Sequence, residues 1–150
     1  MTSDHRRLAA YERSMDEAGL ELKKDWTFWL KRKPFSDTTT QECLERLFAP
    51  GKEKPDALFA LNDMIAMNIL NLADEVGIRI PDDVAIIGMG DLPISKLAGL
   101  STMREPLGEL GEAAAQMVLE LIEDPTKTPL HREITCNELV VRKTTTAQMG

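Results

Sequence analysis

Two short polar clusters stand directly behind apolar runs in this chain of 150 residues. Asn62-Asp63 follows Ala57-Leu-Phe-Ala-Leu61, and Gly90-Asp91 follows Val84-Ala-Ile-Ile87 and Gly88. In an open parallel sheet, small molecules bind outside the carboxyl ends of the strands, where such groups would lie. Asn62 and Asp63 are also good N-cap residues for a following helix, so capping and ligand contact stand as alternatives there. Catalytic patterns are absent: the chain has no GxSxG, no phosphate-binding P-loop and no HExxH. Gly88-Met-Gly90-Asp-Leu-Pro93 has the outline of a dinucleotide fingerprint, but proline stands where the third glycine packs the helix closely, so no cofactor is expected. Cys43 and Cys136, with His5 and His131, lack the local spacing of a zinc set. Cys43, among Leu44, Leu47 and Phe48, reads as a small hydrophobe in a reducing cytoplasm. The chemistry on offer is binding, not catalysis.

Charge narrows the partners. With 18 Lys and Arg against 25 Asp and Glu, the net charge is −7, which lacks the basic footprint that phosphate neutralisation requires. The one basic stretch, Lys31-Arg32-Lys33, reads as a solvated loop. A hydrophobic fraction of 43% and a charged fraction of 29% are ordinary for one globular domain. No apolar run reaches membrane-spanning length, and the first residues lack a signal peptide's hydrophobic stretch. A soluble, cytoplasmic protein with no membrane partner is expected.

The elements that must position these groups alternate in period. Leu8, Tyr11, Met15 and Ala18 recur at helical spacing before Gly19, predicting a helix over about 6–18. Trp26 to Leu30 has strand character, and Thr39 with Glu42 forms a capping box for a helix through Phe48. Residues 57–61 and 84–87 are continuous apolar strands, with a helix carrying Ile65, Ile69, Leu72, Ala73 and Val76 between them. Residues 91–100 read as loop, Ser101 to Arg104 as a short strand, and Pro106 as the opening of a long helix. Glu138 to Arg142 is a last strand. Apolar strands alternating with helices predict an α/β fold, a parallel sheet flanked by helices.

Five phrases in register carry a resemblance. They are Arg7-Leu-Ala-Ala-Tyr-Glu-Arg-Ser-Met-Asp-Glu-Ala-Gly-Leu20, Pro55-Asp-Ala-Leu-Phe-Ala-Leu-Asn-Asp63, Ile80-Pro-Asp-Asp-Val-Ala-Ile-Ile-Gly88, Leu100-Ser-Thr-Met-Arg-Glu-Pro106 and Glu138-Leu-Val-Val-Arg-Lys-Thr-Thr145. In order and spacing the chain resembles the LacI/GalR family of sugar- and nucleoside-responsive transcriptional repressors. The resemblance implies a type I periplasmic-binding-protein-like fold of two lobes around a cleft. It assigns residues 1–100 to an incomplete C-terminal lobe without its first strand. Residues 101–124 become a crossover strand and helix of the N-terminal lobe, and residues 125–150 a return strand and tail. The family's DNA-reading domain would lie outside these residues, so operator DNA is a partner only through it. A sugar-binding transport protein of the same fold is the alternative.

Roles carry over with the phrases. Arg7 matches the family's ligand-gripping arginine, whose planar fork bonds two neighbouring hydroxyls, although a lone arginine there would serve as a surface ion-pair partner. Phe35 matches the aromatic flanking the ligand ring, or is simply core. Asn62 and Asp63 match a polar pair at the cleft edge. Gly90 stands where the family has an acidic residue, so Asp91 takes over that role or the anchor is lost. In the family the helix after Asn62 joins the C-terminal lobe's dimer contact, and Met64, Ile65 and Met67 mark that face here. A homodimer binding a sugar or sugar derivative is the implied assembly.

Overall fold

The computed structural model describes residues 3–29, 37–127, 131–135 and 138–145. Phe35, Leu30, the Lys31-Arg32-Lys33 run and Cys136 lie outside the described residues. In chain order the elements are α1 (Ser3–Glu17), α2 (Asp37–Leu47), β1 (Ala57–Phe59), α3 (Asp63–Glu75), β2 (Ala85–Gly90), α4 (Pro93–Ala98), β3 (Ser101–Arg104), α5 (Leu107–Glu123) and β4 (Glu138–Val140).

The four strands form one sheet in the order β1-β2-β3-β4. The first three are parallel, with Phe59 opposite Ile87 and Gly90 opposite Arg104. β4 runs antiparallel to β3, placing Glu138 opposite Arg104. All three parallel strands therefore end on one edge, and β4 begins there. The chain beyond β4 returns to the sheet: the Ile86 amide donates to the Thr144 carbonyl, and the Thr144 hydroxyl donates to the Ile86 carbonyl.

The core lies on one face. Ala60 and Ile86 of the sheet region meet Ala66 of α3 and Leu100. Leu72 and Ala73 of α3 then meet Leu44 of α2, closing a second cluster with Ile78 and Val84. The layers are sheet, α3 and α2. Burying each Leu or Ile contributes about 1.5–3 kcal/mol, which is what fixes α3 against the strands.

Two expectations are corrected. The run from Trp26 is not a strand: Lys24–Trp26 form a single 3₁₀ turn and residues 27–29 are irregular. Among the described residues no strand pairs with it, and the Lys23 ammonium sits 4.8 Å over the Trp26 ring instead. Residues 91–100 are not all loop, because α4 occupies Pro93–Ala98, with proline in its first turn and Gly99 as a left-handed C-cap at φ +69°. β3 is hydrogen-bonded to β2 along its full length and to β4 over residues 102–104. Its backbone groups find their partners in this sheet.

α5 behaves differently. None of its residues is buried, and Leu107, Leu110, Val118, Leu119 and Ile122 are exposed. Arg132 donates to Gln116 and Glu120, tying the following segment to the helix surface.

Candidate functional site

The carboxyl edge of the parallel strands collects the charged and amide side chains. After β1, Asn62 caps α3: its Oδ1 accepts the Ile65 amide at 2.9 Å. Of the two sequence alternatives the structure shows capping, which occupies the side-chain oxygen of Asn62. α1 brings Arg7 to the same edge, where Nη1 donates to the Leu61 carbonyl at 3.2 Å and Nη2 to Glu105 at 3.4 Å. Arg7 thus spans the ends of β1 and β3. A guanidinium has five N–H donors, and those two bonds leave the fork able to grip a further oxygen.

After β2 the backbone turns sharply. Gly90 has φ +134° and Asp91 φ +57°. A left-handed conformation costs an ordinary residue about 1–2 kcal/mol, less for Asp, and here the surroundings hold it. The Asp91 carboxylate accepts from Arg142 at 2.6 Å and from Arg104 at 2.7 Å. Arg104 also donates to Glu138 at 2.6 Å, and Arg142 to the Leu100 carbonyl at 2.7 Å. The Asp91 side chain is only 12% exposed. Burial opposes its ionisation, but the bonds from Arg142 and Arg104 prevail and hold its pKa below the ordinary carboxylate value. At neutral pH it is an anion shared by two cations.

Asp63 is placed otherwise. It is fully buried at the start of α3. Oδ1 accepts the Thr102 hydroxyl at 2.6 Å, while Oδ2 accepts the Ser95 hydroxyl at 2.6 Å and the Leu92 amide at 2.9 Å. A carboxylate with no exposed surface and three donors lies behind the edge rather than on it. Gly88 makes room for it: a Cβ there would stand 2.4 Å from Asp63 Oδ1. Glycine is required at that position by close approach, not by a turn.

The structure thus gathers Arg7, Asn62 and Asp91 on one edge and sets Asp63 beneath it. Of the helix residues read as an interface, Met64 is 51% exposed, whereas Ile65 and Met67 are half-buried and pack against the cluster of Ala60, Ala66, Ile86 and Leu100. Arg104, Glu105 and Arg142 were not singled out from sequence. The signal was available for two of them: Arg104-Glu105 follows β3 just as Asn62-Asp63 follows β1. Arg142 reaches the edge through a pairing 51 positions long, which no local pattern reveals.

Comparison with known proteins agrees with this architecture. Residues 1–145 match the model of the periplasmic binding protein-like domain. The chain is 31% identical over 146 residues to the HTH-type transcriptional repressor PurR of Haemophilus influenzae (strain PittEE), covering 95% of this chain and 42% of that repressor. Among solved structures, a putative transcriptional regulator LacI from Bacillus cereus subsp. cytotoxis NVH 391-98 superposes with a TM-score of 0.81 at 25% identity, over 94% of this chain and 49% of that one. A LacI family transcriptional regulator from Arthrobacter sp. FB24, solved in complex with lactose, superposes with a TM-score of 0.70 at 26% identity, over 97% and 51%. The chain spans about two-fifths of the length of the curated relatives it matches and about half of the solved chains. With the sheet, the strand-end polar edge and a match across nearly its whole length, this chain belongs to the periplasmic binding protein-like domain family.

Proposed function

We propose that this chain is the effector-sensing part of a LacI-type transcriptional regulator, and that its effector is a sugar or sugar derivative. The observation that carries the reading is the meeting of a guanidinium, an amide and an ion-paired carboxylate at the ends of three adjacent parallel strands. Vicinal hydroxyls both donate and accept, so a mixed edge of Arg7, Asn62 and Asp91 suits them. Phe35 is proposed to flank the ligand ring. The lactose complex of the Arthrobacter regulator supports the ligand class. The reading is one of binding without chemical conversion, with operator DNA contacted by a separate part of the regulator and two copies joined through α3.

A ligand held between two lobes loses many of its partners when one lobe is absent. This chain alone should bind no tighter than ~1 mM, equivalent to roughly 4 kcal/mol. Saturation-transfer NMR with lactose, cellobiose, glucose, ribose, gluconate and adenosine tests it. Binding of at least one of these, weakened or lost in Arg7→Ala, is the expected result. A panel that gives no signal at tens of millimolar, or a signal indifferent to Arg7→Ala, overturns the proposal.

A further inference from the structure

We propose that Asp63 is the positioning residue for Asp91: it fixes both peptide groups flanking Asp91 and so sets how that carboxylate is presented at the strand edge. The inference rests on the reading of Asp91 as part of the effector site, but its geometry stands on its own. Three hydrogen bonds around Asp63 and Asp91 form a closed path. Asp63 Oδ2 takes the amide of Leu92, the residue that follows Asp91. Asp63 Oδ1 takes the hydroxyl proton of Thr102, and the Thr102 oxygen in turn accepts the amide of Asp91 itself at 3.4 Å. The N–H on each side of the Asp91 Cα is therefore tied to one buried carboxylate, directly on one side and through Thr102 on the other.

The consequence is conformational. Asp91 sits at φ +57°, a region an L residue leaves readily unless its neighbours hold it. Rotating out of it would carry the Leu92 and Asp91 amides away from acceptors in a buried site, leaving a fully buried carboxylate short of donors. Asp63 is also the neighbour of Asn62 in sequence, so the same residue joins the polar edge after β1 to the edge after β2. Ser95 is the useful exception: it donates to Asp63 Oδ2 but touches neither peptide group of Asp91.

That asymmetry makes the test specific. In the isotope-labelled chain, without any ligand, backbone chemical shifts and the amide–Hα coupling of Asp91 report its left-handed conformation, and hydrogen exchange reports the Leu92 amide. Asp63→Asn turns one acceptor oxygen into a donor, which opposes the Thr102 hydroxyl if it stands at Oδ1 and the Leu92 amide and Ser95 hydroxyl if it stands at Oδ2. We expect the left-handed signature of Asp91 to be lost and exchange at Leu92 to rise at least about tenfold. Thr102→Val should remove the Asp91 signature as well, and Thr102→Ser should restore it. Ser95→Ala should lower stability yet leave Asp91 where it is, which a merely structural role for Asp63 would not distinguish. Should Asp63→Asn fail to fold, the Thr102 pair decides the matter. An Asp91 signature that survives Asp63→Asn or Thr102→Val, or that Ser95→Ala erases equally, overturns the proposal. Because no sugar enters this measurement, its failure is separable from failure of the effector reading, which the saccharide panel tests.

Discussion

At the scale of single residues, the two aspartates of the strand edge have opposite fates that sequence position alone does not separate. Asn62 was legible as a cap because its partner, the Ile65 amide, lies three residues away. Asp63 was not legible as a buried hub, since its donors come from Leu92, Ser95 and Thr102, up to 39 positions distant. Gly88 is the residue that reveals the arrangement most sharply. Gly88→Ala would drive a methyl to within 2.4 Å of Asp63 Oδ1 and also crowd Leu100 and Ala66. Overpacking of this kind costs about 1–3 kcal/mol, a loss of several degrees in melting temperature. An unchanged melting curve would mean that the carboxylate does not sit against Gly88. The depressed carboxylates predict a pH dependence. Hydrogen bonds from the Arg79 side chain and backbone hold Asp83 at about 2 against an ordinary 3.8, and Asp91 is lowered too. A folded-state pKa below the unfolded one adds stability that is fully present above the ordinary value and lost as pH falls through the folded one. Denaturant midpoints should hold steady above pH 4.5 or so, then decline progressively from about pH 4 toward pH 2. In Asp83→Asn that decline should be shallower; an identical decline would exclude Asp83 from it.

At the scale of elements, long periodic segments were readable and short ones were not. α1, α3 and α5 follow from apolar spacing, and β1 and β2 from continuous apolar runs. α4 has only six residues, too few for a period to register, although Pro93 and Gly99 marked its two ends. The orientation of β4 could not be read, because alternation looks the same in either direction. α5 shows what local pattern does specify. Its opening at Pro106 and its length were read from sequence, yet nothing among the described residues of this chain buries its apolar side. Ile122 remains 71% exposed and Leu119 60%. A double change, Leu119→Glu with Ile122→Glu, should therefore leave the chain's own stability within about 0.5 kcal/mol, as for other surface substitutions. The same change should weaken the part of self-association expected of so large an exposed stripe, leaving any contact through α3 in place. Urea unfolding checks the first part and sedimentation velocity at micromolar concentration the second. A wild-type chain that sediments purely as monomer would contradict the second.

At the scale of the whole molecule, the fold is an α/β lobe whose three parallel strands end together, with a helix whose apolar side faces outward. The net charge of −7 and the polar strand edge point away from nucleic acid and toward a small polar ligand for this portion. Fold class was legible because strand–helix alternation admits few layered solutions. The pairing of β3 with β2 and β4 was not, because a four-residue strand carries no mark of its neighbours. Effector binding at the strand edge is tested by amide chemical-shift mapping of the labelled chain during titration with lactose, ribose and adenosine. An active compound should shift residues 61–63, 90–92 and 104–105 together, saturating at or above ~1 mM. Shifts confined to other surfaces, or none at the strand edge with any of the three, would contradict it.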